Sequence, residues 1–101
     1  MAAKLAITCG DPAGVGPEII ASWLEAHPDE HADVVVFGAP RWLQSLPSAV
    51  TTIAVGLEEY EAKPGTPDSE GSLVALAAME RAAAAVALSR AAHAFDGVYA
   101  P

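Results

Sequence analysis

The sequence predicts an α/β fold: a mostly parallel sheet with helices flanking it. Three observations lead there. Short β-prone runs alternate with helical patterns along the chain. One run, Asp33–Phe37, is Asp-Val-Val-Val-Phe, apolar without alternation, as in a strand buried on both faces. A single long alanine-rich stretch after Leu73 supplies a helix, because alanine loses almost no side-chain entropy there. Strands that alternate with helices are joined most simply as parallel neighbours through helical crossovers.

The elements follow in order. Lys4–Thr8 is a short strand closing on Cys9-Gly10, and Asp11–Gly16 is a loop. Pro17 suits the first position of a helix, where a missing N–H costs nothing. Ile19, Ile20, Trp23, Leu24 and His27 recur at helical spacing, and Pro28 stops the helix. After the Asp33–Phe37 strand and Gly38, Pro40–Leu46 reads as a short helix that puts Trp42, Leu43 and Leu46 on one side. Thr51–Val55 is a third strand.

Residues 58–69 carry two prolines, a glycine and several acids, and read as a surface loop in which Thr66-Pro67 offers a cap and first helical residue. Glu70–His93 is the long helix, Phe95-Asp96-Gly97 a turn, and Val98-Tyr99-Ala100 the start of a fourth strand. That strand breaks off at Pro101 just as its apolar run begins. Residues 1–101 are therefore expected to be a piece of a larger domain.

Composition narrows the function classes. Apolar residues make up 52% of the 101 and charged residues 18%, which excludes a disordered chain. Thirteen acids against five bases give a formal net charge of −8 with no basic stripe, so neither nucleic acid nor an anionic membrane is an expected partner. The apolar stretch Leu73–Leu88 is interrupted by Glu80-Arg81, too short and too charged to span a bilayer. A lone cysteine, Cys9, forms no internal disulfide and suits a reducing, cytoplasmic setting. Trp23, Trp42 and Phe37 are expected in the core, and Glu58, Glu59 and Glu61 on a solvated face.

The most informative segment is Gly10-Asp11-Pro12-Ala13-Gly14-Val15-Gly16-Pro17-Glu18. Its three glycines permit positive φ and close approach of a ligand to backbone. The helix start that follows presents N–H groups and the positive end of a dipole. The spacing is neither the G-x-G-x-x-G dinucleotide fingerprint nor a Walker loop, and Asp11 opposes a simple phosphate cradle. Chemistry alone leaves two readings open: a ligand-bordering loop, or a glycine-rich strand-to-helix turn whose Glu18 favours the dipole.

Thr8 to Ile20 as a whole resembles the opening signature of the 4-hydroxythreonine-4-phosphate dehydrogenase (PdxA-type) family. The Pro12-Ala13 pair sets it apart from the related isocitrate and isopropylmalate dehydrogenases. A weaker likeness lies in Gly71 before a long helix and in Asp96-Gly97-Val98-Tyr99-Ala100-Pro101. The resemblance implies part of an isocitrate/isopropylmalate-dehydrogenase-like fold, with residues 1–101 as the N-terminal part of a homodimeric enzyme. The implied activity is NAD-dependent oxidation of a phosphorylated small molecule, 4-phosphohydroxy-L-threonine, with decarboxylation, in vitamin B6 biosynthesis. A divalent metal (Zn, Mg or Co) held by histidines would assist.

The same resemblance makes Asp11, Gly14, Val15 and Gly16 the candidate cofactor-binding residues, at the nicotinamide end of NAD. It supplies no catalytic residue and no metal ligand within the chain. His27, His31 and His93 share no ligand spacing and read as surface or helix-capping residues. Cys9 departs from the residue usual at its position and is expected to pack at the strand end. Tyr99 stands where threonine is common, which points toward the branch acting on threonate or erythronate 4-phosphate. A non-catalytic α/β binding module is the contrasting expectation.

Overall fold

The computed structural model describes residues 5–90 and 97–99. Its strands are β1 (Leu5–Thr8), β2 (Val34–Gly38), β3 (Thr51–Ala54) and β4 (Gly97–Tyr99). The helices are α1 (Gly16–Ala26), α2 (Pro40–Leu43) and α3 (Ser69–Arg90). All strand pairs are parallel, in the order β3-β2-β1-β4, with Leu5 opposite both Val34 and Gly97. The predicted class and the alternation of elements therefore stand.

The path of the chain explains which helix lies where. Parallel crossovers are right-handed, so steps in one direction across a sheet put their helices on one face and a step back puts its helix on the other. From β1 to β2 to β3 the chain moves one way. From β3 it returns past β2 and β1 to β4. Accordingly α1 and α2 cover one face, where Ile20, Leu24, Leu43 and Leu46 pack with Ile7, Val34 and Val36. The long α3 covers the other, where Val74, Ala78 and Ala82 pack with Ala6, Val35 and Phe37. Every residue of β2 is buried, as its unbroken apolar run requires.

Several boundaries differ from the sequence expectation. Pro28 does not simply end α1; it opens a 3₁₀ turn, Pro28–Asp33, so Asp33 precedes β2 rather than starting it. The α2 helix is one turn long, Pro40–Leu43, and Leu46 reaches the core from the turn beyond it. Gly97 belongs to β4 rather than to a turn, while Phe95, Asp96 and His93 lie outside the described residues.

Trp23 and Ile19 leave the core: they are 36% and 50% exposed, because only Ile20 and Leu24 of that stretch point squarely at the sheet. Trp23 instead stacks on His27, ring centroids 4.7 Å apart. Phe37 is fully buried, and Trp42 packs half-buried against both core clusters.

The histidines close α1. His27 places Nδ1 2.8 Å from the Trp23 carbonyl and remains exposed, as a C-capping residue should. His31 keeps the helix-capping reading and overturns the surface one: its ring is buried, with Nε2 2.6 Å from the Leu24 carbonyl. A carbonyl only accepts, so His31 carries a proton on Nε2. No helix among the described residues is long and apolar enough to cross a membrane.

Candidate functional site

The loop between β1 and α1 lies at the carboxyl end of the sheet. In open α/β sheets ligands collect outside the carboxyl ends of the strands, where the chain changes direction. Here that switch falls between β1, which leads to one face, and β4, which is reached from the other.

Asp11 folds the loop. Its Oδ1 accepts the Ala13 N–H at 2.9 Å, and its backbone carbonyl accepts the Gly14 N–H at 2.9 Å. The carboxylate is thus engaged in an Asx turn, the local use that Asp often serves ahead of a helix. Of the three loop glycines only Gly10 adopts positive φ, +66°. Gly14 instead keeps space: a Cβ there would sit 3.3 Å from the Asp11 carbonyl. Val15 is the residue before the helix and is 68% exposed, with Gly14 also at the surface and Gly16 buried. Gly14 and Val15 therefore lie exposed at the positive end of α1, the Gly14 N–H turned in to the Asp11 carbonyl. Asp11 and Gly16 shape that presentation from within.

A second segment holds this loop, and sequence reasoning did not find it. Lys63-Pro64-Gly65-Thr66 forms a tight turn closed by the Thr66 N–H on the Lys63 carbonyl at 2.9 Å, with Gly65 at φ +76°. The Gly65 N–H then reaches the Ala13 carbonyl at 2.8 Å. Thr66 is consequently in the turn and not the cap of α3. The cap is Asp68, whose Oδ1 accepts the Gly71 N–H at 2.7 Å; the Asp-x-x-Gly spacing was the available signal.

The Tyr60 hydroxyl donates to the same Asp68 oxygen at 3.2 Å. Burial, then the Asp68 charge, then that of Asp11 push the Tyr60 phenol above its usual range. Gly71 has no room for a side chain, since a Cβ would lie 2.7 Å from the Tyr60 hydroxyl and 3.1 Å from Asp68 Oδ1. Asp11 Oδ1 would stand 3.6 Å from it, so the loop and the start of α3 nearly touch.

Between the loop, α2 and residues 60–64 lies a cleft of about 270 Å³, lined by Pro12, Pro17, Arg41, Trp42 and Tyr60 among others. It sits at the ends of β1 and β2, beside the switch point rather than on it. Its volume is at the lower limit for a ligand-sized cleft, roughly 300 Å³, and suits part of a dinucleotide rather than the whole. Cys9 forms one wall from below. Burial pushes its thiol up to about 11, outweighing the backbone hydrogen bonds that pull it down. It is a packed, protonated thiol, as expected from its place at the strand end. Glu58, Glu59 and Glu61 are exposed, and Glu61 meets Arg41 at 3.5 Å on the rim.

Among the described residues no three His, Cys, Asp or Glu side chains come together as a metal ion requires. The described residues therefore offer no set that could by itself hold the divalent metal that the resemblance implies. For a nicotinamide cofactor the fit is partial: an exposed glycine at a helix start, and a cleft beside it.

A curated 4-hydroxythreonine-4-phosphate dehydrogenase of Zymomonas mobilis is 30% identical over 100 aligned positions, covering 81% of this chain and 30% of that protein. The structure of a 4-hydroxythreonine-4-phosphate dehydrogenase from Klebsiella pneumoniae superposes with a TM-score of 0.76 at 26% identity, covering 99% of this chain and 37% of its own. The chain matches about a third of a 4-hydroxythreonine-4-phosphate dehydrogenase. A structure of that name from Salmonella typhimurium, at 22% identity, shares the fold with a TM-score of 0.74 over 98% of this chain and 37% of its own. No family model matches the sequence. The name carried by these relatives is the one the β1–α1 loop suggested, and the chain spans about a third of their length.

Proposed function

We propose that this chain is the N-terminal part of an NAD-dependent dehydrogenase that oxidises 4-phosphohydroxy-L-threonine on the route to pyridoxal phosphate. The observation that carries the reading is the β1–α1 loop. It combines the family signature with a place at the carboxyl end of the sheet, and its turn, with Gly14 and Val15 exposed, is tied down from two sides.

In this reading NAD, when bound, accepts the hydride. The chain's own contribution is positional. Gly14 and Val15 border the cofactor. Gly16 lets the α1 start approach, and Asp11 holds the turn that aims them. The catalytic groups and the ligands of any divalent metal come from the remainder of a homodimeric, cytoplasmic enzyme.

The test is a chimera in which this chain replaces its matching segment in the Zymomonas mobilis dehydrogenase. The chimera is expected to reduce NAD with 4-phosphohydroxy-L-threonine and a divalent metal, whereas the 101-residue chain alone does not. Val15→Asp, at an exposed position, is expected to raise the KM for NAD at least about tenfold by leaving a carboxylate to be desolvated where the loop borders the nicotinamide end of the cofactor. A folded chimera without turnover, or an unchanged KM in the variant, sinks the reading.

A further inference from the structure

The turn Lys63-Pro64-Gly65-Thr66 is closed by the Thr66 N–H on the Lys63 carbonyl and has Gly65 at φ +76°. Pro64 fixes a negative φ at the first middle position, and a positive φ at the second then makes this a type II turn. Type I and type II turns follow nearly the same path. They differ in the direction of the middle peptide: going from type II to type I reverses it, so its N–H and its carbonyl exchange sides. Here the middle N–H is that of Gly65, and it reaches the Ala13 carbonyl at 2.8 Å. In a type I turn the Pro64 carbonyl would face that oxygen instead.

Proline at the first middle position accepts either type, so residue 65 makes the choice. A Cβ at Gly65 would meet no atom within 4 Å. Nothing crowds the position, and the glycine serves there by its φ alone. Its one structural product is the aim of its own N–H.

That aim matters because of what else holds the loop. The Ala13 N–H to Asp11 Oδ1 and the Gly14 N–H to the Asp11 carbonyl are bonds within the loop, and they set its shape. Among the described residues, the Gly65 bond is the only hydrogen bond that ties residues 11–15 to a segment outside the loop and α1. The base it rests on is firm, since Tyr60 and Asp68 on either side of the turn are joined, hydroxyl to Oδ1, at 3.2 Å. Ala13 is buried, so its carbonyl, left facing another carbonyl, would find little water in exchange.

We infer that Gly65 is a positioning residue for cofactor binding: its left-handed conformation aims the N–H that sets where Gly14 and Val15 stand. This rests on the reading of Gly14 and Val15 as neighbours of the cofactor.

The test substitutes residue 65 in the chimera with the Zymomonas mobilis dehydrogenase and in the chain itself. Gly65→Ala keeps the turn closed in its type I form and is expected to raise the KM for NAD at least about fivefold, the worth of one hydrogen bond. The KM for 4-phosphohydroxy-L-threonine is expected to stay within about twofold, whereas a mere loss of folded enzyme would lower kcat and leave both KM values alone. Gly65→Asn, with a side chain that tolerates left-handed φ, is expected to recover most of the affinity for NAD. In the 101-residue chain, amide exchange at Gly14 should rise at least about tenfold in Gly65→Ala while Ala78 of α3 stays protected.

A KM for NAD indifferent to residue 65, a loss that asparagine does not repair, or unchanged exchange at Gly14 overturns the inference. Turnover by the chimera with that indifferent KM removes the inference and leaves the dehydrogenase reading standing. A folded, unsubstituted chimera without turnover sinks that reading, and exchange at Gly14 then decides by itself whether Gly65 holds the loop.

Discussion

The two faces of the sheet are built from different materials. On the α1 face the core is branched aliphatic: Ile7, Ile20, Leu24, Val34, Val36, Leu43, Leu46 and Val50. On the α3 face the helix contributes Val74, Ala78 and Ala82, and the bulk comes from Phe37 with Tyr60, Val35 and Val55. Long side chains can shift to fill a gap, but alanines cannot, and a helix that approaches on alanines fixes its distance from the sheet by backbone contact. The α3 face is therefore the less forgiving of the two, and it also carries the Tyr60–Asp68 hydrogen bond at the start of α3.

The largest expected effect tests that contrast. Phe37→Ala is expected to cost about 4–5 kcal/mol, the upper part of the usual range, because Ala39, Ala78 and Ala82 leave the cavity open. Leu24→Ala, equally buried on the other face, is expected to cost about 2–3 kcal/mol as its aliphatic neighbours relax. Urea unfolding of both variants decides it, and equal or inverted costs would break the comparison.

A smaller effect is sharper. Cys9 lies in the α3-side cluster with its thiol pushed from 9.0 up to about 11. The folded state therefore holds that proton more tightly than the unfolded chain. Its contribution is complete below pH 9 and is lost as pH rises toward 11, on the order of 3 kcal/mol in all. Stability measured across that window should fall less steeply in Cys9→Ala. An unchanged slope would show that the thiol is not buried as described.

The smallest effect concerns the start of α3. Removing the cap with Asp68→Ala should cost about 1 kcal/mol and raise amide exchange at Gly71 without touching α1. Exchange that rises equally at both helices would mean the two faces do not open separately.

Much of this was legible in the sequence, for identifiable reasons. β2 announced itself because a parallel strand buried on both faces has no polar residue to spare, and the β1–α1 loop because three glycines and a proline-led helix start fall within nine residues. Other features were hidden because they depend on contacts distant in sequence. Nothing local says that His31, amid acids, would turn inward to the Leu24 carbonyl, or that Trp23 would face outward. Thr66-Pro67 looked like a cap, but the bond from Gly65 to Ala13 draws that segment into a turn and leaves Asp68 to begin the helix. In the site, Asp11 was visible as a residue and invisible in its role, since an Asx turn and a ligand contact call for the same side chain.

That single bond from Gly65 to Ala13 also bears on how the molecule can change over generations. Surface segments such as residues 56–68 ordinarily tolerate length drift, because nothing downstream depends on them. Here one amide makes the spacing of that segment a condition on the shape of a loop some fifty positions earlier. Insertions should accumulate elsewhere first, and a graft between related chains should carry both segments or neither.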